Sequence, residues 1–313
     1  MQPMLSRVAG VDIGKEELAI TVLIEEDGQT IKHQFECKTF TDDLIRTGQK
    51  LLDLGVKHVA MESTGVYWKP IWNVWKPLGL IITLGNAAHL KNVPGRKTDI
   101  KDSEWIATLH RNGLIRASYV PEREYQELRL LTRHRQNLVE DASRLKNRVQ
   151  KILEDGNIKL SSVISDVFGV SGRKIVEAIS QGTTDKNILA SLARTNLKRK
   201  EDLPKALSNT LTRVQCLLVR QLLSQYDDIQ KLVLEVEGEI HSCLEKHSHL
   251  MEKLDEVPGI DLVIAQGIIA EATADMSSFR DDRAFAAWAG VAPGNNESAH
   301  KKKEPKPEKE ILP

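Results

Sequence analysis

The 313-residue chain has only three cysteines, few aromatic residues and no net charge. Cys37, Cys216 and Cys243 are widely spaced and odd in number, which excludes a disulfide framework and offers no zinc-binding spacing. We therefore predict a reducing, cytoplasmic setting. No apolar run reaches the roughly 18 residues that a membrane span needs, and the first residues lack the basic-then-apolar pattern of a signal peptide. These absences predict a globular protein without membrane contact.

A net charge of zero is unusual for a nucleic-acid-binding protein, but the charge is distributed unevenly. Between Arg129 and Lys200, basic residues outnumber acidic residues about two to one. A neutral total can therefore hide a basic face and an acidic pocket.

Alternating strands and helices fill the first ~110 residues. Turn and capping signals predict three strands, a helix, a strand, a helix and a strand. The predicted strands are 7–12, 18–24, 30–38, 59–61 and 80–84, and the predicted helices are 41–54 and 66–75. This is the order of a ribonuclease-H-like domain with a mixed sheet. Trp68, Trp72 and Trp75 recur at helical spacing, which favours a stripe that faces the core over a base-stacking surface.

Four carboxylates stand at the ends of these elements. Asp12 ends the first strand, Glu62 closes the fourth, and Asp99 and Asp102 lie three residues apart at the start of a helix. If the two strands are neighbours and the helix packs beside them, four oxygen ligands converge. Such a site can hold two Mg²⁺ ions, for which Mn²⁺ can substitute, and activate a phosphodiester. The alternative is a helix cap with scattered surface acids.

Basic residues surround these carboxylates. The loop before Asp99 is polar and contains proline and glycine, which predicts a segment able to meet a phosphate backbone. The residues predicted to contact nucleic acid in this region are Lys15, Lys91, Arg96, Lys97 and Lys101.

A long helix is predicted from Pro121 to Glu154, where leucine and isoleucine repeat every seven residues. This heptad pattern indicates a coiled coil, interrupted by Arg135. Its outer face is either a solvated surface or a nucleic-acid contact. The residues predicted to make that contact are Arg129, Arg133, Arg144, Arg148 and Lys151.

The chain after the helical region begins a new unit. Val257 to Ile260 form a turn before an apolar helix over 262–272, in a helix-hairpin-helix-like arrangement. We therefore predict an α/β-plus-α fold in four parts. These are a nuclease domain (1–120), a helical, coiled-coil region (121–256), a small helical C-terminal domain (257–300) and a disordered tail (301–313).

Three blocks resemble the DEDD transposases of the insertion-sequence-110 family. They are Gly10-Val-Asp-Ile-Gly-Lys15, Met61-Glu-Ser-Thr-Gly-Val-Tyr-Trp68 and Lys97-Thr-Asp-Ile-Lys-Asp-Ser-Glu-Trp105. A fourth stretch, from Val257-Pro-Gly259 to Ala292-Pro-Gly294, is similar to the family's second domain.

This resemblance implies a RuvC-like nuclease domain, dimerisation through the coiled coil, and a nucleoid-associated homo-oligomer. It assigns the acidic tetrad to Asp12, Glu62, Asp99 and Asp102, and a nucleophilic serine to Ser298. It also implies excision and insertion of a mobile element, with donor and target DNA chosen by a structured guide RNA.

The resemblance ends near Ser298. Family members continue with a Gly- and Lys/Arg-rich helical stretch, whereas here His300 precedes a Lys/Pro/Glu tail, which predicts a truncated C-terminal domain. Two other functions therefore stay open. One is a structure-selective nuclease that needs only the acidic tetrad, and the other is an inactive nucleic-acid-binding remnant.

Overall fold

The computed structural model describes residues 4–63, 65–87, 90, 102–194 and 199–291, together with the backbone of 297–298 and 301–302. The chain divides into two compact units, residues 1–120 and 121–313. The further division of the second unit that we expected from the sequence stays a prediction.

A five-stranded mixed sheet forms the first unit. Its strands are β1 (Arg7–Ile13), β2 (Glu17–Glu26), β3 (Gln29–Lys38), β4 (His58–Glu62) and β5 (Ile81–Gly85). Their order in the sheet is β3-β2-β1-β4-β5. The first three strands form an antiparallel meander, and β4 and β5 continue from β1 as parallel neighbours. This arrangement is consistent with the predicted ribonuclease-H-like α/β domain.

One face of the sheet is covered by α1 (Thr41–Asp53) and α2 (Trp68–Trp75). The Trp75 side chain is fully buried, and its indole N–H donates to the carbonyl oxygen of Leu44 at 2.8 Å. Trp68 and Trp72 pack half-buried against the same core with their rings edge to face. The predicted core-facing stripe is therefore confirmed.

The opposite face of the sheet carries α3 (Asp102–Arg111). Trp105, Ile106 and Leu109 of this helix pack against Ala60 of β4. Farther along the same face, Ala107 packs against Val8 of β1 and Leu23 of β2.

Two long helices dominate the second unit, α4 (Arg123–Asp155) and α8 (Arg213–Leu244). Leu128 near the start of α4 packs with Ile240 and Leu244, whereas Asp155 at its end accepts a hydrogen bond from Gln215 at 2.7 Å. The two helices therefore form an antiparallel hairpin.

The hairpin shows which helices cover the predicted heptad seam. Leu138, Ala142, Leu145 and Val149 are buried, as expected for a seam. The long partner helix is α8 of the same chain, and at its far end the seam also joins the core of the intervening helices. Sequence periodicity identifies an apolar stripe but not the helix that covers it. Dimerisation through this region stays a prediction.

Shorter helices connect and follow the two arms. Between the arms lie α5 (Val170–Ser180), α6 (Lys186–Ser191) and α7 (Leu203–Ala206), with 3₁₀ turns at Leu160–Ser162 and Lys200–Asp202. After α8 and the 3₁₀ turn Glu245–His247 come α9 (Ser248–Asp255) and α10 (Leu262–Ala272). The 3₁₀ turn Met276–Ser278 and α11 (Asp282–Trp288) complete the helical part. In the described part of the chain, no helix combines the length and apolar character that a membrane crossing requires.

A short hairpin follows α11. β6 (Glu297–Ser298) pairs antiparallel with β7 (Lys301–Lys302). We expected no regular structure from Lys301 onward, so the first two residues of that segment differ from the prediction. The rest of the tail lies outside the described residues.

His110, near the end of α3, is a buried titratable group. Its side chain is 7% exposed, and its Nε2 has no hydrogen-bond partner among the described residues. Burial, and secondarily the neighbouring ring of His58, lowers the pKa of His110 to about 4. The folded protein therefore holds this imidazole neutral.

We expect the first unit to lose stability as the pH falls below ~6.5. In the unfolded chain the His110 imidazole then binds a proton, whereas in the folded protein it stays neutral. Between about pH 7 and pH 5 the loss should approach roughly 2 kcal/mol. Denaturant unfolding across this range would measure it. His110→Gln should remove this contribution, whereas His33→Gln, at an exposed position, should retain it. Equal pH slopes for wild type and His110→Gln would contradict the assignment.

Candidate functional site

Two acidic residues lie side by side at the carboxyl ends of β1 and β4. These strands are parallel, and Gly10 pairs with Ala60 and Val11 with Met61. Continuing this register by one residue sets Asp12 beside Glu62. Alternate residues of a strand share a face, so Asp12 projects to the side of Gly10, and Glu62 to the side of Ala60.

The helix α3 covers this same face at very close range. A Cβ added to Gly10 would lie 2.2 Å from the backbone nitrogen of Ala107 and 2.2 Å from the carbonyl oxygen of Ser103. Only glycine at this position lets the helix backbone approach the strand so closely. Asp12 and Glu62 are half-buried beside this contact.

The first turn of α3 is anchored to β2 and β3. The hydroxyls of Ser103 and Thr21 share a buried hydrogen bond of 2.9 Å. Glu104 accepts from the ammonium of Lys32 at 3.1 Å and from the side-chain amide of Gln34 at 3.4 Å. Asp102, the first residue of the helix, directly precedes these two anchored residues.

Asp12 and Glu62 thus belong to one edge of the sheet, and Asp102 is the first residue of the helix that covers the same face. Asp99 lies outside the described residues. Among the residues that the structure describes, no group of three or more histidine, cysteine, aspartate or glutamate side chains is arranged to hold a metal ion. The carboxylate oxygens themselves are the donor type that Mg²⁺ and Mn²⁺ prefer.

The turn after Asp12 is also specified by a glycine. The Gly14 N–H donates to the carbonyl oxygen of Glu17 at 2.9 Å, and a Cβ on Gly14 would lie 2.6 Å from that oxygen. The tight turn leaves Lys15 exposed next to the carboxylate edge. The other basic residues predicted for this region lie outside the described residues; they are Lys91, Arg96, Lys97 and Lys101.

The five predicted cations of the long helix α4 fall into two groups. Arg129 is only 18% exposed and forms an ion pair with Glu271, while its guanidinium also donates to the carbonyl oxygens of Ala270 and Glu271. Arg133 forms a two-pronged ion pair with Glu271 at 2.9 and 3.0 Å. These two arginines secure the end of α10, which corrects the nucleic-acid contact that we predicted for Arg129.

The remaining three cations lie farther along α4. Arg144 pairs with Asp141 at 2.6 Å. Arg148 and Lys151 are exposed, and neither forms an ion pair with another described residue. Sequence alone could not separate these groups, because the acidic partner Glu271 lies 138 residues from Arg133.

Ser298 lies in β6, where its backbone pairs with Lys301. The structure describes the backbone of this residue and not its side chain.

Gly10→Ala should destabilise the first unit by about 1–3 kcal/mol, because the added methyl meets helix backbone rather than a side chain that can move. The same change should move α3 and lower any activity that depends on Asp102. Thermal unfolding would measure the first effect. Gly238→Ala is the matched control, since nothing lies within 4 Å of its added Cβ in α8. The control should be neutral or stabilising by up to ~1 kcal/mol.

Arg129→Gln should lower the free energy of unfolding by roughly 2 kcal/mol, because it leaves carbonyl oxygens and Glu271 without a charged donor. It should leave the salt dependence of nucleic-acid binding unchanged. Arg148→Gln should behave in the opposite way, with unchanged stability and a weaker salt dependence. Chemical denaturation and binding titrations on both variants would test the contrast, and identical behaviour of the two would refute it.

Comparison with known proteins agrees with this architecture. A family model for the DEDD transposase of IS110 type matches residues 9–158. A second model, described as transposase of the IS116/IS110/IS902 family, matches residues 251–310. The uncharacterized 44.8 kDa protein of insertion element IS116 from Streptomyces clavuligerus is 24% identical over 335 aligned residues, which cover 93% of this chain and 77% of that protein. The two models flank the helical hairpin and together match about two thirds of the chain, which therefore belongs to the IS110 family of transposases.

Proposed function

We propose that this chain cuts and rejoins DNA to excise and insert a mobile element, with a two-metal carboxylate site and a serine nucleophile. The observation that carries the proposal is the register of β1 and β4, which sets Asp12 beside Glu62 on the face covered by α3. The family membership supplies the class of reaction, and the site supplies the residues.

Asp12, Glu62, Asp99 and Asp102 are the proposed metal ligands. Carboxylate oxygens are the donors that Mg²⁺ and Mn²⁺ prefer, which supports a divalent ion as part of the working site. When bound, two Mg²⁺ ions supply polarisation of a phosphate oxygen and stabilise charge on the attacking and leaving oxygens. The protein's part is to hold the ligands in place through Gly10 and through the hydrogen bond between Ser103 and Thr21.

Ser298 is the proposed nucleophile. Its hydroxyl oxygen would form a bond to a DNA phosphorus while the bond to the leaving deoxyribose oxygen breaks, so that one DNA end stays attached to the protein. A serine hydroxyl is a weak nucleophile and needs a base to accept its proton. The resemblance of residues 293–298 to the family's serine segment supports this role.

The proposed partners are donor DNA, target DNA and a structured guide RNA, bound by an oligomer of this chain. In such a division of labour, base pairing selects the sequence and the protein contacts the phosphate backbone. Exposed Lys15, Arg148 and Lys151 support backbone contacts.

Asp12→Asn and Glu62→Gln should each lower strand cleavage by at least ~10³-fold, equivalent to about 4 kcal/mol of transition-state stabilisation. Cleavage of DNA that carries the ends of the element, with added Mg²⁺ or Mn²⁺, is the measurement. Asp27→Asn removes one carboxylate of the same unit in a left-handed turn that asparagine tolerates, and it should keep full activity.

Ser298→Ala separates the proposed reaction from a structure-selective nuclease. A transposase that uses this serine loses strand exchange and the covalent protein–DNA product. A nuclease that uses only the acidic residues cleaves as before, and that outcome would remove Ser298 from the mechanism.

A further inference from the structure

The helical hairpin carries its charge in two opposite halves. Lys146 on α4 lies with its ammonium 5.5 Å from the ring centre of Tyr226 on α8, and this contact divides the hairpin. We call residues 146–226, which include α5 to α7, the tip. We call residues 121–145 and 227–256 the base. The tip contains 14 Lys/Arg and 7 Asp/Glu, whereas the base contains 8 Lys/Arg and 14 Asp/Glu.

The antiparallel fold creates this separation. It brings Lys146, Arg148 and Lys151 of α4 beside the start of α8, which carries Arg213 and Arg220, and it brings the acidic end of α8 beside the start of α4. Each arm is roughly 50 Å long at 1.5 Å per residue. The Debye length is about 10 Å at 0.1 M salt. The acidic base therefore does not neutralise the field at the far end of the tip.

The two halves also differ in how their cations are used. Seven of the eight basic residues of the base form ion pairs, and Lys253 is the exception among these described residues. Seven basic residues of the tip are exposed and form no ion pair with another described residue. They are Arg148, Lys151, Lys174, Lys186, Arg194, Arg213 and Arg220.

One of these cations lies where helix electrostatics disfavours a positive charge. Arg213 is the first residue of α8, where the helix dipole disfavours positive charge, and the first turn contains no acidic residue. Arg220 lies seven residues later on the same side of the helix, with exposed Leu217 between them. On α4, Arg148 and Lys151 are three residues apart and therefore also share one side of their helix.

We propose that the tip is a docking surface for a nucleic-acid phosphate backbone, formed by α4, α5, α8 and the segment 186–194 that contains α6. The inference rests on the proposed function for the class of partner, and adds Lys174, Lys186, Arg194, Arg213 and Arg220 to the contacts. The acidic base is excluded from this surface, so bound nucleic acid lies at one end of the hairpin. The surface recognises backbone charge and not base sequence.

The test replaces three of the added cations at once, Lys174→Gln, Arg213→Gln and Arg220→Gln. The matched control is the triple variant Arg123→Gln, Lys231→Gln and Lys253→Gln in the base. It removes the same number of positive charges. Both proteins are titrated with a random-sequence DNA duplex and with an RNA hairpin of equal length, over a range of salt concentrations. EDTA is present throughout, so binding is measured without cleavage.

On duplex DNA, we plot the logarithm of the association constant against the logarithm of the salt concentration. We expect this slope to be about 2.7 less steep for the tip variant than for wild type, because each lost phosphate contact reduces it by ~0.9. At about 0.1 M salt this corresponds to a loss of affinity on the order of 10²-fold. The base variant should bind like wild type. We compare the change in slope measured with the RNA hairpin and with the DNA duplex. The probe that shows the larger change identifies which of the two backbones occupies the tip.

Equal slopes for the tip and base variants on both probes would overturn the proposal. So would a tip variant that binds normally but dissociates in sedimentation, because the tip would then contact the acidic base of a second copy. Unchanged melting temperatures show that both variants are folded. A wild-type protein that binds through the tip yet never transfers strands would refute the proposed function and leave this inference intact.

Discussion

The contact on which the site depends is the approach of α3 to β1 over Gly10. A helix normally stands off a sheet by the length of its side chains, but here helix backbone lies where a Cβ would be. This closeness sets the depth at which α3 begins, and therefore the position of Asp102 relative to the ends of β1 and β4. The hydrogen bond between Ser103 and Thr21 fixes the same turn from the side of β2. The absence of a side chain at one residue thus sets how closely the helix that carries Asp102 approaches the strand that carries Asp12.

The second unit is organised by a different constraint, the antiparallel pairing of two long helices. Their pairing buries the heptad seam of α4 against α8 and against the helices between the arms, so the apolar repeat serves folding of the monomer. It also assigns the cations of α4 to separate tasks. Arg129 and Arg133 secure α10 through Glu271, whereas Arg148 and Lys151 remain at the surface. Residues with one chemistry and one periodicity therefore have different roles because their neighbours come from distant parts of the chain.

Much of the first unit could be predicted because its signals are local. Alternating apolar residues located the strands within a few residues, and Gly55, with φ of +72°, ends the first helix as its position indicates. The same helix begins at Thr41, as predicted, although Phe40 at the cap position makes no side-chain hydrogen bond. The significance of Gly10 was missed, although a glycine inside an apolar strand is a signal of close backbone approach.

The sequence by itself determined the element types, the acidic residues at the strand ends, the apolar seam and the family resemblance, because each depends on residue identity and short spacing. The tertiary structure decided the strand order, the face toward which Asp12 and Glu62 project and the partner of the seam. It also decided which cations are neutralised. These outcomes depend on contacts between residues far apart in the chain, such as Arg133 with Glu271 and Lys146 with Tyr226. A one-dimensional pattern records which groups are present, and folding decides which of them become neighbours.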